Sequence, residues 1–144
     1  GHVEQRKRGG GIVKIIPPLR GTDRWGSGEY LASRGGRMHR GIDIACYKGS
    51  TVLSPVSGTV TKLGYPYSPA DPDKGKFRYV QITDDTGTDH RVFYVEPLVG
   101  VSNYVERDDP IGVSQGIAAL YPGMTDHVHY EVKRDGKHVE PDYG

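Results

Sequence analysis

The segment HVHYEV, which begins at His127, alternates polar and apolar residues with a period of two. Successive side chains of a β-strand point to opposite faces, so this pattern is typical of a strand with one buried face. The apolar face carries Val128, Tyr130 and Val132. The opposite face carries two imidazoles and a carboxylate, from His127, His129 and Glu131. The segment therefore predicts a strand that packs against a core and presents chemically reactive groups on its other side.

A second segment, MHRGIDIA, shows the same division if it is also a strand. Its apolar face carries Ile42, Ile44 and Cys46, and the opposite face carries His39 and Asp43. Two strands that bury their apolar faces against a common core bring imidazoles and a carboxylate within coordination distance of each other. Because histidine and carboxylate side chains are metal ligands, we expect a metal site where the two polar faces meet.

The types of ligand narrow the choice of metal. Two histidines and one carboxylate with an open position are typical of a catalytic zinc site, whereas structural zinc sites are usually closed by four ligands rich in cysteine. The chain has 1 Cys, so it cannot build a closed cysteine site. Non-haem iron also uses two histidines and a carboxylate and stays open as an alternative. So does the simpler interpretation that these are ordinary polar residues on solvated strand faces.

Composition indicates one all-β domain. The chain has 144 residues, with 21 Gly and 10 Pro between short runs rich in Val, Ile, Tyr and Thr, as expected for short strands joined by tight turns. Its net charge of +1 gives no basic excess that would favour nucleic acid. No stretch of the sequence has the long apolar run of a membrane span. The lone Cys46 cannot form an intrachain disulfide and is expected to be a small buried hydrophobic residue.

The positions of the strands follow from the same patterns. The clearest predicted strands cover residues 58–62, 78–82, 91–95 and 127–132. The stretch TDDTGTDH predicts a hairpin turn, the proline-containing stretch GYPYSPADPDKGK predicts a long loop that forms a groove wall, and residues 118–120 suggest a helical turn. Residues 1–25 are expected to be an N-terminal arm and lead-in, with the domain over residues 26–144. His90 and His138 are expected to be surface turn residues.

From about Gly26 to Asp142, the sequence resembles the lysostaphin-type, or LytM-type, zinc metallopeptidases that cut peptide bonds in bacterial cell walls. The resemblance is carried by ordered blocks: RMHRGIDIA, GSTVLSPVSGTV, RYVQI followed by VFYVEPL, DDPIGVS and DHVHYEVKRDGKHVEPD. It implies an all-β single domain whose antiparallel sheets form a groove with a zinc site, and long surface loops. By that resemblance Zn2+ is held by His39, Asp43 and His129, and His127 is catalytic.

One position departs from the family pattern. A second catalytic histidine is usual in a Tyr-x-His-Leu run, and Glu96 stands at its place in the stretch beginning at Tyr94. If the strand continues, Tyr94 and Glu96 share a face and Glu96 reaches the groove, where a carboxylate can act as general base. The alternatives are that Glu96 is a solvated residue at a strand end, or that His90 replaces the missing histidine.

A second resemblance, of GSGEYLASRGGRMHRGID to the vertebrate leukocyte cell-derived chemotaxins, leaves two functions open. That branch keeps the zinc ligands without the Tyr-x-His histidine, but it is rich in disulfides. The first hypothesis is an extracytoplasmic endopeptidase, secreted, periplasmic or carried by a phage, whose partners are peptidoglycan peptides. The second is a catalytically silent zinc-binding recognition module of the same fold. The sequence does not determine the oligomeric state.

Overall fold

The structure is a computed structural model that describes residues 11–15 and 41–139. The predicted zinc ligand His39, nearly all of the predicted N-terminal arm and the chain after residue 139 lie outside the described residues. Within the described part, the chain forms eleven β-strands and one short 3-10 helix. None of its described helices has the length and hydropathy needed to cross a bilayer.

The elements follow one another closely along the chain. The first six strands are β1 (Ile12–Val13), β2 (Ile42–Ala45), β3 (Thr51–Leu53), β4 (Gly58–Gly64), β5 (Tyr79–Thr83) and β6 (Asp89–Phe93). They are followed by β7 (Val95–Pro97), β8 (Tyr104–Val105), β9 (Pro110–Ser114), the 3-10 helix (Ile117–Leu120), β10 (His127–Arg134) and β11 (Lys137–Val139). The prediction of an all-β fold is therefore confirmed.

The strands form two sheets. The smaller sheet has the order β1-β3-β9-β7, and the larger has the order β11-β10-β6-β5-β4-β8. β2 also pairs with β10, along the stretch of its outer edge that β11 leaves open. All described pairings are antiparallel except β1 with β3. β10 is thus bonded on both edges and holds the histidine pair in a fixed place.

One hydrophobic core collects side chains from both sheets. Val95 and Ile111 of the smaller sheet belong to the same buried cluster as Val80 and Val92 of the larger one. The apolar faces predicted for the two histidine-containing segments also lie in it, represented by Ile42, Val128, Tyr130 and Val132. Each fully buried aliphatic side chain contributes about 1.5 to 3 kcal/mol of transfer free energy. Burial of this face fixes which side of β10 its histidines occupy.

Residues 11–15, from the predicted lead-in, also contribute to this core. They include β1, which pairs in parallel with β3, with Ile12 opposite Thr51. Val13 and Ile15 are both almost completely buried. Residues 11–15 are therefore part of the packed structure.

Most predicted strands are present, but one ends earlier than expected. The strand predicted over residues 91–95 ends at Phe93, because Tyr94 has a φ of 72°, in the left-handed region. The chain leaves the larger sheet at this residue and enters the smaller one at Val95. The amides of Tyr94 and Val95 both donate to the carbonyl of Arg78. The simple alternation assumed for Tyr94 and Glu96 is therefore wrong, since a strand break separates them.

The predicted connections are confirmed. β5 and β6 form a hairpin whose turn is closed by Asp84, which accepts hydrogen bonds from the amides of Thr86 and Thr88. No strand or helix interrupts the chain between Gly64 and Tyr79, where the sequence predicted a long loop. The 3-10 helix falls where a helical turn was expected.

Candidate metal and catalytic site

The pairing of β2 with β10 brings the candidate ligands together. Asp43 lies directly opposite His129 in the register of these antiparallel strands. Gly41, just before β2, has a φ of 108°, and a Cβ at this position would collide with the carbonyl oxygen of Tyr130. Glycine therefore allows β2 to approach β10 closely at this point. In the sequence GID, Gly41 thus allows the close approach, Ile42 packs in the core and Asp43 supplies the carboxylate.

Asp43 is the centre of the cluster. Its Oδ1 lies 2.7 Å from Nδ1 of His129 and 3.7 Å from Nε2 of His127. Phe93 of β6 packs edge-on against the His129 ring at a centroid distance of 5.5 Å. The structure therefore places three of the predicted site residues together, as the strand pattern indicated. The predicted ligand His39 lies outside the described residues.

Glu131 holds the other side of His129. Its Oε1 is 3.3 Å from Nε2 of His129, and its Oε2 is 2.9 Å from Nε2 of His138 and 3.8 Å from a guanidinium nitrogen of Arg91. Glu131 is only 7% exposed, although its strand face is the outer one. His138 lies in β11 and not in the turn as expected, and its ring, 24% exposed, packs against this carboxylate. Sequence alternation alone could not show this contact.

The two carboxylates determine the charge of His129. Burial disfavours the imidazolium, but hydrogen bonds to Asp43 and Glu131 outweigh it and raise the pKa of His129 to about 9. Burial likewise acts to raise the pKa of Glu131, but hydrogen bonds from His129 and His138 prevail and lower it. In the absence of metal, the imidazolium donates one hydrogen bond to each carboxylate. The site thus concentrates negative charge around one imidazole.

His127 is held in one orientation by its neighbour. Its Nδ1 lies 2.8 Å from the backbone carbonyl oxygen of Thr125, which can only accept a hydrogen bond. Nδ1 therefore carries the proton in the neutral ring, and Nε2, 3.7 Å from Oδ1 of Asp43, carries the lone pair. A backbone carbonyl that fixes the tautomer of a histidine in this way leaves the other nitrogen free for proton transfer. His127 is the residue of the pair best placed for acid and base chemistry.

Tyr94, for which the sequence pattern predicts no role, packs against His127. Their rings meet edge to face at a centroid distance of 5.7 Å. Tyr94 also contacts the buried Phe77, which packs on Tyr67 of the long loop as well. Burial raises the pKa of Tyr94. The signal available in the sequence was the tyrosine of the Tyr-x-His-Leu pattern, but only the strand break turns its ring toward the site.

Glu96 lies in the smaller sheet. Its side chain is exposed, and its Oε1 accepts a 3.4 Å hydrogen bond from Nε2 of Gln115. Gln115 also accepts a hydrogen bond from the amide of Arg78 and donates one to the carbonyl of Lys76. These contacts attach Glu96 to the end of the long loop. Its predicted catalytic role stays a prediction.

His90 lies in the core, so the expectation of a surface histidine is wrong. It is 2% exposed, with Nδ1 2.9 Å from the hydroxyl of Tyr130 and Nε2 2.9 Å from Oδ2 of Asp84. Tyr130 points to the face of β10 opposite His129. These contacts argue against the alternative in which His90 replaces the missing histidine beside the metal site.

The described donors suit a divalent ion but are not a complete site. In residues 11–15 and 41–139, no three histidine, cysteine, aspartate or glutamate side chains are arranged to hold a metal. Oδ1 of Asp43 and Nδ1 of His129 lie 2.7 Å apart. Both are atom types that zinc accepts as ligands. Nε2 of His129 is held by Glu131, in the manner of the carboxylate partners of metal-bound histidines. These residues therefore fit zinc, with the third ligand predicted to be His39.

The fold is all-β, and histidine and carboxylate donors converge on one face of a sheet. This combination is typical of metal-binding β-domains. The model of Peptidase family M23 matches residues 37–141. The chain belongs to Peptidase family M23.

Curated relatives include leukocyte cell-derived chemotaxin-2 and an uncharacterized metalloprotease. The chain is 27% identical over 113 residues to leukocyte cell-derived chemotaxin-2 of Bos taurus, covering 78% of this chain and 72% of that protein. It is 30% identical over 108 residues to an uncharacterized metalloprotease of Haemophilus influenzae, covering 73% of this chain but 20% of that protein. Similarity of sequence therefore extends to relatives of different described kinds.

Solved structures of peptidases share the fold. The catalytic domain of the antimicrobial peptidase lysostaphin from Staphylococcus simulans superposes with a TM-score of 0.57 at 19% identity, over 78% of this chain and 83% of that one. The catalytic domain of a prophage-encoded M23 protein, EnpA from Enterococcus faecalis, gives 0.61 at 20% identity, over 92% and 95%. A zinc-containing peptidase from Vibrio cholerae gives 0.61 at 22% identity, over 89% and 39%.

Proposed function

We propose that this protein is a zinc-dependent endopeptidase that cuts peptide bonds of bacterial peptidoglycan, in the stem peptide or the cross-bridge. The observation that carries the proposal is the convergence of Asp43, His129 and His127 on one face of the β2–β10 pair. Membership of Peptidase family M23 supports the class of reaction. The fold is that of the catalytic domain of lysostaphin, an antimicrobial peptidase. An extracytoplasmic location, secreted, periplasmic or phage-borne, is part of the proposal.

Zinc is proposed to be held by His39, Asp43 and His129. When bound, zinc supplies Lewis acidity that polarises a carbonyl and makes water a better nucleophile near neutral pH. Asp43 and His129 are preorganised for this role, because their ligand atoms already lie 2.7 Å apart and Glu131 orients the imidazole from behind. Nδ1 of His129 is then the ligand atom, and its Nε2–H donates to Glu131.

His127 is proposed as the general base and acid. Its Nε2 takes a proton from the attacking water and later gives a proton to the leaving amine of the cleaved peptide. The hydrogen bond from Nδ1–H to the Thr125 carbonyl keeps the ring in the tautomer that the first step requires. This bond also stabilises the imidazolium formed between the two steps, because the carbonyl accepts more strongly from a charged donor.

A second function is favoured by one specific observation. Glu96, at the position where the family pattern has a histidine, is exposed and bonded to Gln115. The similarity to leukocyte cell-derived chemotaxin-2 also favours a function other than peptide cleavage, because that relative is named as a chemotaxin and not as a peptidase. In this alternative the chain is a catalytically silent zinc-binding module that recognises a wall peptide or a protein partner.

Peptidoglycan digestion distinguishes the two functions. Zinc-loaded protein is incubated with walls of defined cross-bridge chemistry, and the released fragments and new amino termini are identified by mass spectrometry. We expect cleavage by the wild type and a loss of about 10²- to 10⁴-fold in rate for His127→Ala, which removes the acid and base but no zinc ligand. Tyr104→Phe, an exposed side chain of β8 at the far edge of the larger sheet, is the control and should retain full activity.

The same assay shows which result would exclude the enzyme. Wild-type protein that releases no new termini from any wall type, while Glu96→His does, would support the silent module. Cleavage that persists in His127→Ala would contradict the proposed mechanism. Zinc content is measured for every variant, so that loss of metal is not mistaken for loss of the proton-transfer group.

A further inference from the structure

We propose that Tyr94 is a second catalytic residue, whose hydroxyl donates a hydrogen bond to the carbonyl oxygen of the scissile peptide bond while His127 handles the protons. This inference rests on the proposed peptidase function and deepens it. It assigns to a phenol the donor role for which Glu96, an exposed carboxylate in the other sheet, is unsuited. The backbone, the ring and the hydroxyl of Tyr94 support it, together with the chemistry of amide hydrolysis.

The backbone of Tyr94 holds an uncommon conformation. Its φ of 72° lies in the left-handed region, which bulky residues other than glycine rarely adopt. The surroundings fix it there, since its amide donates to the carbonyl of Arg78 and its own carbonyl accepts from the amide of Gln115. Strain of this kind persists only where neighbouring structure enforces it, and it is concentrated at functional sites. Here it redirects one side chain at the junction of the two sheets.

The ring is fixed beside the catalytic imidazole. Tyr94 meets His127 at a centroid distance of 5.7 Å and Phe77 at 5.9 Å, with an interplanar angle of 83° in both contacts. Phe77 is fully buried, so one of these two contacts is part of the rigid core. Edge-to-face contacts on two sides leave the Tyr94 ring little freedom to turn. A donor held in this way loses no further freedom when a substrate arrives.

The hydroxyl of Tyr94 has another phenol near it. Phe77 packs edge-on against the rings of both Tyr94 and Tyr67, which places Tyr67 of the long loop beside Tyr94. Lys74 lies over the rings of Tyr67 and Tyr121, with its Nζ 5.3 Å and 5.8 Å from their centroids. When Tyr67 donates to the oxygen of Tyr94, the single proton of Tyr94 is available to a substrate. Burial raises the pKa of Tyr94, which keeps that proton in place at neutral pH.

The chemistry requires a donor at this place. Attack on an amide carbonyl moves negative charge onto its oxygen, and preorganised hydrogen-bond donors aimed at that oxygen lower the barrier. A carboxylate such as Glu96 can accept a proton but cannot donate one in its charged form. The Tyr94 hydroxyl donates throughout and keeps its proton, so no covalent bond of Tyr94 forms or breaks. His127 and Tyr94 thus divide proton transfer and charge stabilisation between them.

The test compares Tyr94→Phe with Tyr104→Phe in the zinc-loaded full chain. Tyr104 is a suitable control because it is 65% exposed and lies in β8, at the far edge of the larger sheet. We expect Tyr94→Phe to lower kcat about 100-fold, as removal of one oxyanion donor does, with KM changed less than about twofold. Zinc content and Tm should match the wild type. Tyr67→Phe should show a smaller loss of kcat, because it only orients the donor.

A second measurement does not depend on turnover. A phosphinic peptide has a tetrahedral anionic centre that resembles the oxyanion, and its parent peptide does not. Tyr94→Phe should weaken binding of the phosphinic peptide about 10-fold or more and leave parent-peptide binding unchanged. If the wild type binds the phosphinic peptide but cuts no wall, the proposed function fails and this comparison still decides the role of Tyr94.

Three results would overturn the inference. One is a Tyr94→Phe variant whose kcat and phosphinic-peptide affinity both stay within twofold of the wild type. Another is an equal loss in Tyr104→Phe, which would show a general effect of removing a phenol. The third is a wild-type protein that neither cuts walls nor binds the phosphinic peptide, which would also refute the peptidase.

Discussion

His129 and His90 lie on neighbouring strands and are each held at both ring nitrogens, yet their environments produce opposite results. His129 lies between two carboxylates, with Asp43 at 2.7 Å and Glu131 at 3.3 Å. His90 lies between one carboxylate and a phenol, with Asp84 and the Tyr130 hydroxyl each at 2.9 Å. Among these partners, His129 therefore has one more negatively charged group than His90.

The pKa values follow that difference. Burial lowers the pKa of His90, although Asp84 opposes the shift. The neutral ring donates from Nε2 to Asp84 and accepts at Nδ1 from the hydroxyl of Tyr130. At His129 two carboxylates overcome burial, and the pKa rises to about 9. The polar atoms of His90, Asp84 and Tyr130 therefore pair with one another beside the β5–β6 turn, whereas Asp43 and Glu131 concentrate negative charge around His129.

The largest expected difference between the two clusters is in stabilisation by zinc. At a free zinc concentration about 1,000 times Kd, binding to the native state stabilises it by about 4 kcal/mol. We expect this gain in the wild type and in His90→Ala, measured by urea unfolding with zinc and with a chelator. His129→Ala should gain almost nothing. An equal gain in His129→Ala would mean that the metal site lies elsewhere.

The second prediction tests whether Glu131, which accepts from Nε2 of His129, strengthens zinc binding by that histidine. Loss of such a partner typically weakens metal affinity about 10- to 100-fold, so Glu131→Gln should raise the Kd for zinc by that factor. Competition with a chromophoric chelator measures it. Asp84→Asn, the corresponding change in the other cluster, should leave zinc affinity unchanged, and a similar loss there would remove the distinction.

The third prediction concerns acid. Burial tends to raise the pKa of Asp84, but hydrogen bonds from Thr86, His90 and Thr88 outweigh it and lower the pKa to about 2. A depressed pKa stabilises the native state above the unfolded value near 3.8, and that stability is lost as the pH falls toward 2. Asp84→Asn should therefore cost about 1 to 2 kcal/mol at pH 7.

The control is the pH dependence itself. In urea unfolding of the metal-free protein, the stability difference between wild type and Asp84→Asn should shrink steadily from pH 4 to pH 2. A difference that stays constant over this range would show that Asp84 stabilises the turn without using its charge. A larger difference at pH 2 than at pH 7 would contradict the assigned direction of the pKa shift.

The part of the site that could be predicted from the sequence rests on local periodicity. Alternation alone placed His127 and His129 opposite the buried Val128 and Tyr130, and the pairing of two such strands brought Asp43 to His129. The β5–β6 hairpin was also predictable, because aspartate and glycine determine the turn locally. These features need only the geometry of a strand and the burial of one of its faces.

The rest depends on contacts between distant segments. The left-handed Tyr94 breaks the alternation that the prediction of a shared face with Glu96 assumed, and nothing local to that residue indicates the change of sheet. Burial of His90 depends on the hydroxyl of Tyr130, 40 residues later in the chain. Burial of Glu131 depends on β11, which returns His138 to it. The alternation of polar and apolar residues along one strand does not indicate contacts with segments distant in the sequence.

The central claim is that Asp43 and His129 hold a zinc ion, and the zinc content of the native protein tests it most directly. Protein purified without chelators is analysed by inductively coupled plasma mass spectrometry as wild type, Asp43→Ala and Asp84→Asn. The account predicts one zinc per chain in the wild type and in Asp84→Asn, and almost none in Asp43→Ala. A wild type without zinc, or an Asp43→Ala variant that keeps a full equivalent, would contradict it.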